Sequence, residues 1–277
     1  MLDYSIKIFV KKILGEREST PSLFQRNIVK EYFQVLVLRF LYSKEDYREL
    51  VFYGGSCLRH CFSLPRLSED LDFIDISKKV SPERLAAEIK AYFEKKTGLK
   101  VTTKTQKFRI TLKFPILYEL NLAEPPESDW LFLKIEIYKE FDFCKAYKIE
   151  VIPLFKFGEA VLLRTFDLPT LMATKIRAIL HRKWERTDRK GKVLARVKGR
   201  DYYDLMWYLD KGVEPNLRCT EGIRNKSDLR KMLLEQVRKV DSQSLKYDLE
   251  SLMEDRDFLD DLGDNFKEIL ARQIEKL

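Results

Sequence analysis

Asp70 and Asp72 are separated by one residue and follow, after a short segment, the sequence Gly54-Gly55-Ser56. In a β-strand, side chains two residues apart point to the same face, so the two carboxylates are expected to lie side by side. Adjacent carboxylates repel each other unless a cation lies between them, and hard oxygen ligands suit Mg²⁺. Glycines let backbone N–H groups approach an anion closely. Enzymes that transfer phosphoryl or nucleotidyl groups combine a phosphate-binding turn with a divalent-metal site in this way.

Each half of this pattern also has an ordinary interpretation, because Gly-Gly-Ser is common in turns and an Asp-x-Asp pair is common on a solvated strand face. The two halves together favour a functional site. A third carboxylate for the metal is predicted at Glu136, on the polar face of an alternating segment at residues 131–138. Asp142 is a weaker substitute.

A lysine and an aspartate are predicted to contribute from two helices further along the chain. Lys175 lies within the apolar stripe of a helix that starts at Asp167, so it is either a structural lysine or a fixed charge aimed at a triphosphate. Asp201 and Asp204 fall in the first turn of the next helix, where they either favour the helix N-terminus or orient Lys175 or a nucleotide.

Residues 182–200 carry nine Lys or Arg against two acids. This segment is either a solvated basic loop or a surface that binds a phosphate backbone, with Trp184 available to stack on a base. The candidate RNA-binding residues are Lys183, Arg186, Arg189, Lys190 and Lys192.

The composition is that of an ordinary globular protein with 277 residues, 45% hydrophobic and 35% charged. A net charge of +8 favours a polyanionic partner, nucleic acid before membrane. No apolar run reaches the length of a membrane span, and the N-terminus lacks the layout of a signal peptide. Four cysteines are too few and too scattered for a disulfide framework, and Cys57, His60 and Cys61 lack the second ligand pair that a zinc site needs. We therefore expect a cytoplasmic protein with no membrane partner.

The periodicity of apolar residues predicts strands first and helices afterwards, which indicates an α+β fold. From Asp167 onward the pattern is helical to Leu277. Helices are predicted at about 22–43, 57–62 and 82–96, and strands at about 50–53, 70–76, 108–114, 131–138, 147–152 and 160–164.

These motifs together resemble the AbiEii-type nucleotidyltransferases, toxins of type IV toxin–antitoxin and phage-abortive systems that are related to the mycobacterial MenT enzymes. The resemblance spans residues 52–209, more than half of the chain. It rests on Gly54-Gly55-Ser56, Arg66-x-Ser68-x-Asp70-x-Asp72-Phe73, Lys134-Ile-Glu136, Ala173-Thr-Lys175-Ile-Arg177-Ala178 and Arg200-Asp201-Tyr-Tyr-Asp204-Leu205.

The resemblance implies a DNA polymerase β-like nucleotidyltransferase core at residues 1–165 and a helical region at 166–277 that completes the active-site cleft. It implies transfer of a nucleotide from an NTP, with Mg²⁺ or Mn²⁺, onto RNA, in known members the tRNA 3′ end, which blocks translation. It also implies a cognate antitoxin and a role in abortive infection.

The resemblance also assigns roles to individual residues. It implies catalytic roles for Asp70, Asp72, Lys175 and Asp201, and metal binding by Asp70 and Asp72, to which Glu136 is added as the third carboxylate. The implied nucleotide-binding residues are Gly54, Gly55, Ser56, Arg66, Ser68 and Lys175.

Two alternatives remain open at this stage. In the first, the enzyme nucleotidylates a protein hydroxyl instead of RNA. In the second, the chain is an inert RNA-binding or antitoxin-binding module. The intact carboxylate pair argues against the inert module, because like charges placed side by side are unfavourable without a ligand.

Overall fold

The computed structural model describes residues 3–17, 19–188 and 190–277. The chain forms two units. The first unit comprises Met1–Ser63, Leu67–Phe141 and Glu150–Thr165, and the second comprises Leu64–Arg66, Asp142–Ile149 and Phe166–Leu277. The expected division at residues 165 and 166 stays a prediction.

A seven-stranded mixed sheet forms the centre of the first unit, with strand order β3-β4-β5-β2-β1-β7-β6. β2 pairs with β5, and β1 with β7, in parallel, whereas β1–β2, β3–β4 and β4–β5 are antiparallel. The strands are β1 (Val51–Tyr53), β2 (Leu71–Ile74), β3 (Thr102–Gln106), β4 (Arg109–Pro115), β5 (Trp130–Tyr138), β6 (Ile149–Lys156) and β7 (Glu159–Phe166).

The helices of the first unit are α1 (Tyr4–Gly15), α2 (Ser22–Tyr42), α3 (Gly54–Phe62) and α4 (Pro82–Thr97). α2 is buried on most sides, as expected of a helix whose apolar residues do not form a single stripe. Its Phe33 ring stacks on Phe114 of β4, with ring centroids 4.5 Å apart. The Ser81 hydroxyl accepts a hydrogen bond from the Arg84 N–H at 3.3 Å and caps α4, which starts at Pro82 as predicted.

The second unit is mainly helical, as the sequence predicts. Cys144 and Cys219 form a disulfide, which the sequence did not predict. The elements are α5 (Leu168–His181), β8 (Arg186–Thr187), β9 (Val193–Ala195), α6 (Gly199–Asp210), a 3₁₀ turn (Leu217–Cys219), α7 (Lys226–Lys239), α8 (Ser242–Leu249) and α9 (Arg256–Glu275).

The α+β class is confirmed, and three local expectations need correction. α3 starts at Gly54 and not near Cys57, because Gly54 itself forms the strand-to-helix corner with φ = +79°. The strand β3 and the helix α1 were not predicted. The basic segment expected to be helical or irregular contains the antiparallel pair β8–β9, which is too short and too charged to show a period of two.

Within the described residues, no helix is long and apolar enough to cross a membrane.

Candidate active site

Asp72 projects from the first unit's sheet on the face opposite the core. Leu71 and Phe73 on either side of it are fully buried. The register places Asp72 opposite Tyr53 of β1 and opposite Glu136 of β5. Asp70 directly precedes β2, and its Oδ1 lies 3.6 Å from Lys134 Nζ. The sheet therefore brings the three predicted carboxylates to one region of its surface, because all three lie on β2, on β5 or next to them.

Glu136 is already paired within the first unit. Its Oε1 accepts a hydrogen bond from Arg109 Nε at 2.5 Å, and its Oε2 accepts one from the Tyr138 hydroxyl. Burial, followed by the hydrogen bond to Glu136, raises the pKa of Tyr138 well above its usual range. Among the described residues, no three Asp, Glu, His or Cys side chains are grouped as a metal site. The donor chemistry of Asp70 and Asp72 fits a hard cation, whereas Glu136 would first have to leave Arg109.

Gly54 allows the close approach of α3 to the carboxylate strand. A Cβ atom at this position would lie 2.6 Å from Oδ2 of Asp72, and the φ of +79° is one that side chains with a Cβ rarely adopt. Gly55 and Ser56 follow in the first helical turn, where backbone N–H groups have no partner inside the helix and suit an anion. The predicted phosphate-binding glycines thus lie at a helix N-terminus beside Asp72.

Both serines of the predicted nucleotide site make hydrogen bonds within the first unit, Ser56 through its hydroxyl and Ser68 through its backbone carbonyl. The fully buried Ser56 donates its hydroxyl to the carbonyl oxygen of Asp70. The carbonyl oxygen of Ser68 accepts a hydrogen bond from Gln34 Nε2 at 2.8 Å. Gln34 Oε1 lies 3.1 Å from Nε2 of His60, and burial lowers the pKa of His60 to about 3. These contacts hold the segment that leads into Asp70.

Arg66 and Asp204 form a buried bidentate pair in the second unit. Arg66 Nε donates to Oδ1 of Asp204 at 2.7 Å, and Nη2 donates to Oδ2 at 2.6 Å. The exposed fractions of the two side chains are 1% and 0%. Arg66 was predicted to bind the nucleotide, but here its guanidinium holds a carboxylate of its own unit.

Lys175 joins Asp204 and Asp201 in the same unit. Its Nζ lies 2.8 Å from Asp204 Oδ2 and 2.7 Å from Asp201 Oδ1, and Arg182 Nη1 lies 2.7 Å from Asp201 Oδ2. Burial alone would raise the pKa of Asp201, but Lys175 and Arg182 outweigh it and hold that pKa well below its usual range. Burial would likewise lower the pKa of Lys175, but Asp201 and Asp204 raise it. Asp201 therefore stays ionised and fixes the lysine.

The predicted RNA-binding residues lie on and around the β8–β9 pair. Lys183, Arg186, Lys190 and Lys192 are exposed, whereas Arg189 lies outside the described residues. The Arg186 guanidinium lies 5.0 Å from the centre of the Tyr247 ring. The β8–β9 pair therefore packs on the second unit, and these four cations remain exposed.

Several residues of these networks were missed from the sequence. Arg109 and Tyr138 could have been found, because Arg109 alternates with the buried residues of its strand and Tyr138 lies two residues after Glu136. Gln34 gave no signal, and His60 and Arg182 were noted only in an incomplete zinc pattern and in the basic segment, because only the tertiary structure brings these residues to their partners.

Residues 39–277 match the family model described as "Nucleotidyl transferase AbiEii toxin, Type IV TA system". Among solved structures, the chain is similar to JHP933 from Helicobacter pylori, with 16% identity, a TM-score of 0.46, and coverage of 90% of this chain and 94% of that one. It is also similar to a provisionally assigned nucleotidyltransferase from H. pylori, with 17% identity, a TM-score of 0.48, and coverage of 90% and 96%. No curated protein matches the chain with significance.

Proposed function

Because the chain belongs to the AbiEii family of nucleotidyltransferase toxins of type IV toxin–antitoxin systems, we propose that it transfers a nucleotide from an NTP to RNA. Family membership makes it a nucleotidyltransferase toxin with an NTP as substrate and an antitoxin as partner. The acceptor, the metal and the residue roles are proposals. The proposed acceptor is the 3′ end of tRNA, and blocking that end would stop aminoacylation and so translation.

The main support for this proposal is the close approach of Gly54, at the start of α3, to the side chain of Asp72. A helix N-terminus suited to an anion lies beside a carboxylate that suits a cation, and the absence of a Cβ makes the approach possible. Asp70 and Asp72 would hold Mg²⁺ or Mn²⁺, which when bound would neutralise the charge that develops on the transferred phosphate.

The chain's own groups would position the reactants. The N–H groups at Gly55 and Ser56 would bind the triphosphate, and the Ser56 hydroxyl holds the backbone of Asp70 in place. Glu136 would support Asp72 from the neighbouring strand, held in turn by Arg109 and Tyr138. Catalysis by this site would consist mostly of positioning and charge neutralisation, with pyrophosphate leaving.

Lys175 would contact a phosphate as a fixed positive charge, and Asp201 would keep it in place. The distances of 2.7 Å and 2.8 Å to Asp201 and Asp204 support a fixed lysine. Two carboxylates already contact the Lys175 ammonium group, so a phosphate would have to displace one of them or bind alongside them.

The test mixes purified protein with Mg²⁺, total tRNA and each α-labelled NTP in turn. Asp70→Asn and Asp72→Asn should abolish labelling of tRNA while the fold is retained, and Glu45→Gln, an exposed acid away from the site, should leave it unchanged. Label on protein instead of tRNA would favour a protein acceptor. Full transfer activity in both folded Asn variants would refute the proposed metal site.

A further inference from the structure

A cavity of ≈ 800 Å³ opens in the second unit beside the basic segment. This volume lies within the range of small-molecule sites. Five cations line it: Arg182, Lys183, Arg196, Lys198 and Lys239.

The lining of this cavity carries an excess of positive charge. Its two acids are Glu185 and Asp201, and Asp201 is already bound to Arg182 and to Lys175. Burial, and then the neighbouring cations Arg200 and Arg182, lower the pKa of Lys198 to about 8, which Asp201 opposes only in part. Lys239 also pairs with Glu235 at 3.2 Å, but the lining still carries more positive than negative charge, which favours an anion in the cavity.

An aromatic side chain stands on the wall of the same cavity. Trp184 is partly exposed and lies next in sequence to Lys183, and Ile179 and Val197 contribute apolar surface. A cavity that combines cations with an accessible indole suits a nucleotide, whose phosphate needs the charge and whose base stacks on the ring.

We propose that this cavity binds one nucleotide of the acceptor RNA strand, with its phosphate on Lys198 and Arg196 and its base against Trp184. This inference rests on the proposed function and gives the acceptor a defined binding site. A strand fits better than a free nucleotide, because exposed positive charge continues past the cavity onto Arg186, Lys190 and Lys192 of the β8–β9 segment.

The first test measures binding of a 5′-fluorescein single-stranded RNA with a tRNA 3′ sequence to the full chain, without NTP or metal. Lys198→Gln and Arg196→Gln should each weaken binding about tenfold, as expected when a phosphate contact is lost. Arg196 contacts Ser244 through its backbone N–H, so its side chain can be replaced without loss of that bond. Lys211→Gln, an exposed lysine of the same unit outside the cavity, should change the affinity less than twofold. Equal effects of all three variants would overturn the proposal.

The second test concerns the stacking ring. Trp184→Ala should weaken binding about tenfold, whereas Trp184→Phe should retain most of the affinity, because a phenyl ring still stacks a base. Binding of the RNA should also quench tryptophan fluorescence in the unmodified protein and not in Trp184→Phe. Unchanged affinity in Trp184→Ala would overturn the proposed base contact.

The third test separates the RNA strand from the NTP as occupant. Binding of a fluorescent NTP should be the same in Lys198→Gln and Arg196→Gln as in the unmodified protein. Weaker NTP binding with unchanged RNA binding would assign the cavity to the NTP and overturn the inference. RNA binding that depends on the cavity, combined with no label transfer to any RNA, would refute the proposed function and leave this inference standing.

Discussion

At the scale of single residues, the site carboxylates differ in how far they are already neutralised. Glu136 has Arg109 on one oxygen and Tyr138 on the other, whereas Oδ1 of Asp70 lies 3.6 Å from the partly exposed Lys134. A cation gains most from carboxylates that are not yet neutralised. We therefore propose Asp70 as a metal ligand, together with Asp72 on the adjoining strand β2 and with Glu136 in support.

His60 should make the stability of the protein depend on pH below neutrality. Burial lowers its pKa from 6.5 to about 3, so the folded state holds the imidazole neutral while the unfolded chain protonates it below about pH 6.5. This stabilisation is complete above pH 6.5 and is lost progressively as the pH falls toward 3. Each pH unit in that window removes about 1.4 kcal/mol.

The measurement compares urea unfolding of the unmodified protein and His60→Gln at pH 7 and pH 5. The glutamine amide can still donate to Gln34 Oε1, the partner of His60. The unmodified protein should lose about 2 kcal/mol more than the variant between the two values. An identical loss in both proteins would show that His60 does not stay neutral.

Arg66 should be essential for the stability of the second unit. Replacing it with methionine leaves the fully buried Asp204 without its bidentate partner, although Lys175 remains at 2.8 Å. Breaking a buried pair on one side costs about 3–5 kcal/mol, so the unfolding free energy should fall by that order. Arg84→Met is the control, since Arg84 pairs with Asp46 and Glu88 at the exposed surface and its loss should change stability by less than about 1 kcal/mol. Chemical denaturation of both variants measures the difference, and equal losses would contradict the argument.

At the scale of elements, the corner between β1 and α3 brings the helix N-terminus to the carboxylate strand. The chain offers a matched pair of glycines for testing it: Gly54 has a φ of +79° and Gly158 one of +75°, but a Cβ at Gly158 would meet nothing within 4 Å. Both alanine variants should be destabilised by the backbone conformation, by about 1 kcal/mol.

Only Gly54→Ala should also lose nucleotidyl transfer, because its methyl group must displace the Asp72 carboxylate. Transfer assays under conditions where both variants are folded, as judged by circular dichroism, separate the two effects. Retained activity in Gly54→Ala would mean that the position of Asp72 relative to α3 does not matter for the reaction.

At the scale of the whole molecule, the sequence predicted what depends on local periodicity. The strand β5 alternates with a period of two along its length, and the start of α4 carries its own cap, so both were found close to their limits. The start of α3 was misplaced, because two glycines in a row are more typical of a turn than of a helix. Pairings such as Arg66 with Asp204 could not be predicted, because they join residues 138 positions apart.

The uneven distribution of positive charge along the chain leads to a further prediction about RNA binding. Residues 182–200 carry nine cations and two acids, an excess of seven in a chain whose net charge is +8. If RNA binds along this segment, affinity should depend on where positive charge is removed and not only on how much. The double variants Lys190→Gln/Lys192→Gln and Lys11→Gln/Lys12→Gln both lower the net charge by two, and all four side chains are exposed.

The measurement is the slope of log affinity against log salt concentration for a single-stranded RNA. Each phosphate contact contributes about 0.7 to that slope, so loss of the Lys190 and Lys192 contacts should make it shallower by about 1.4. The Lys11 and Lys12 variant should keep the slope of the unmodified protein, since these residues lie on α1 of the first unit. Equal slopes in the two double variants would mean that RNA responds to net charge alone, and the basic segment would then be only a solvated surface.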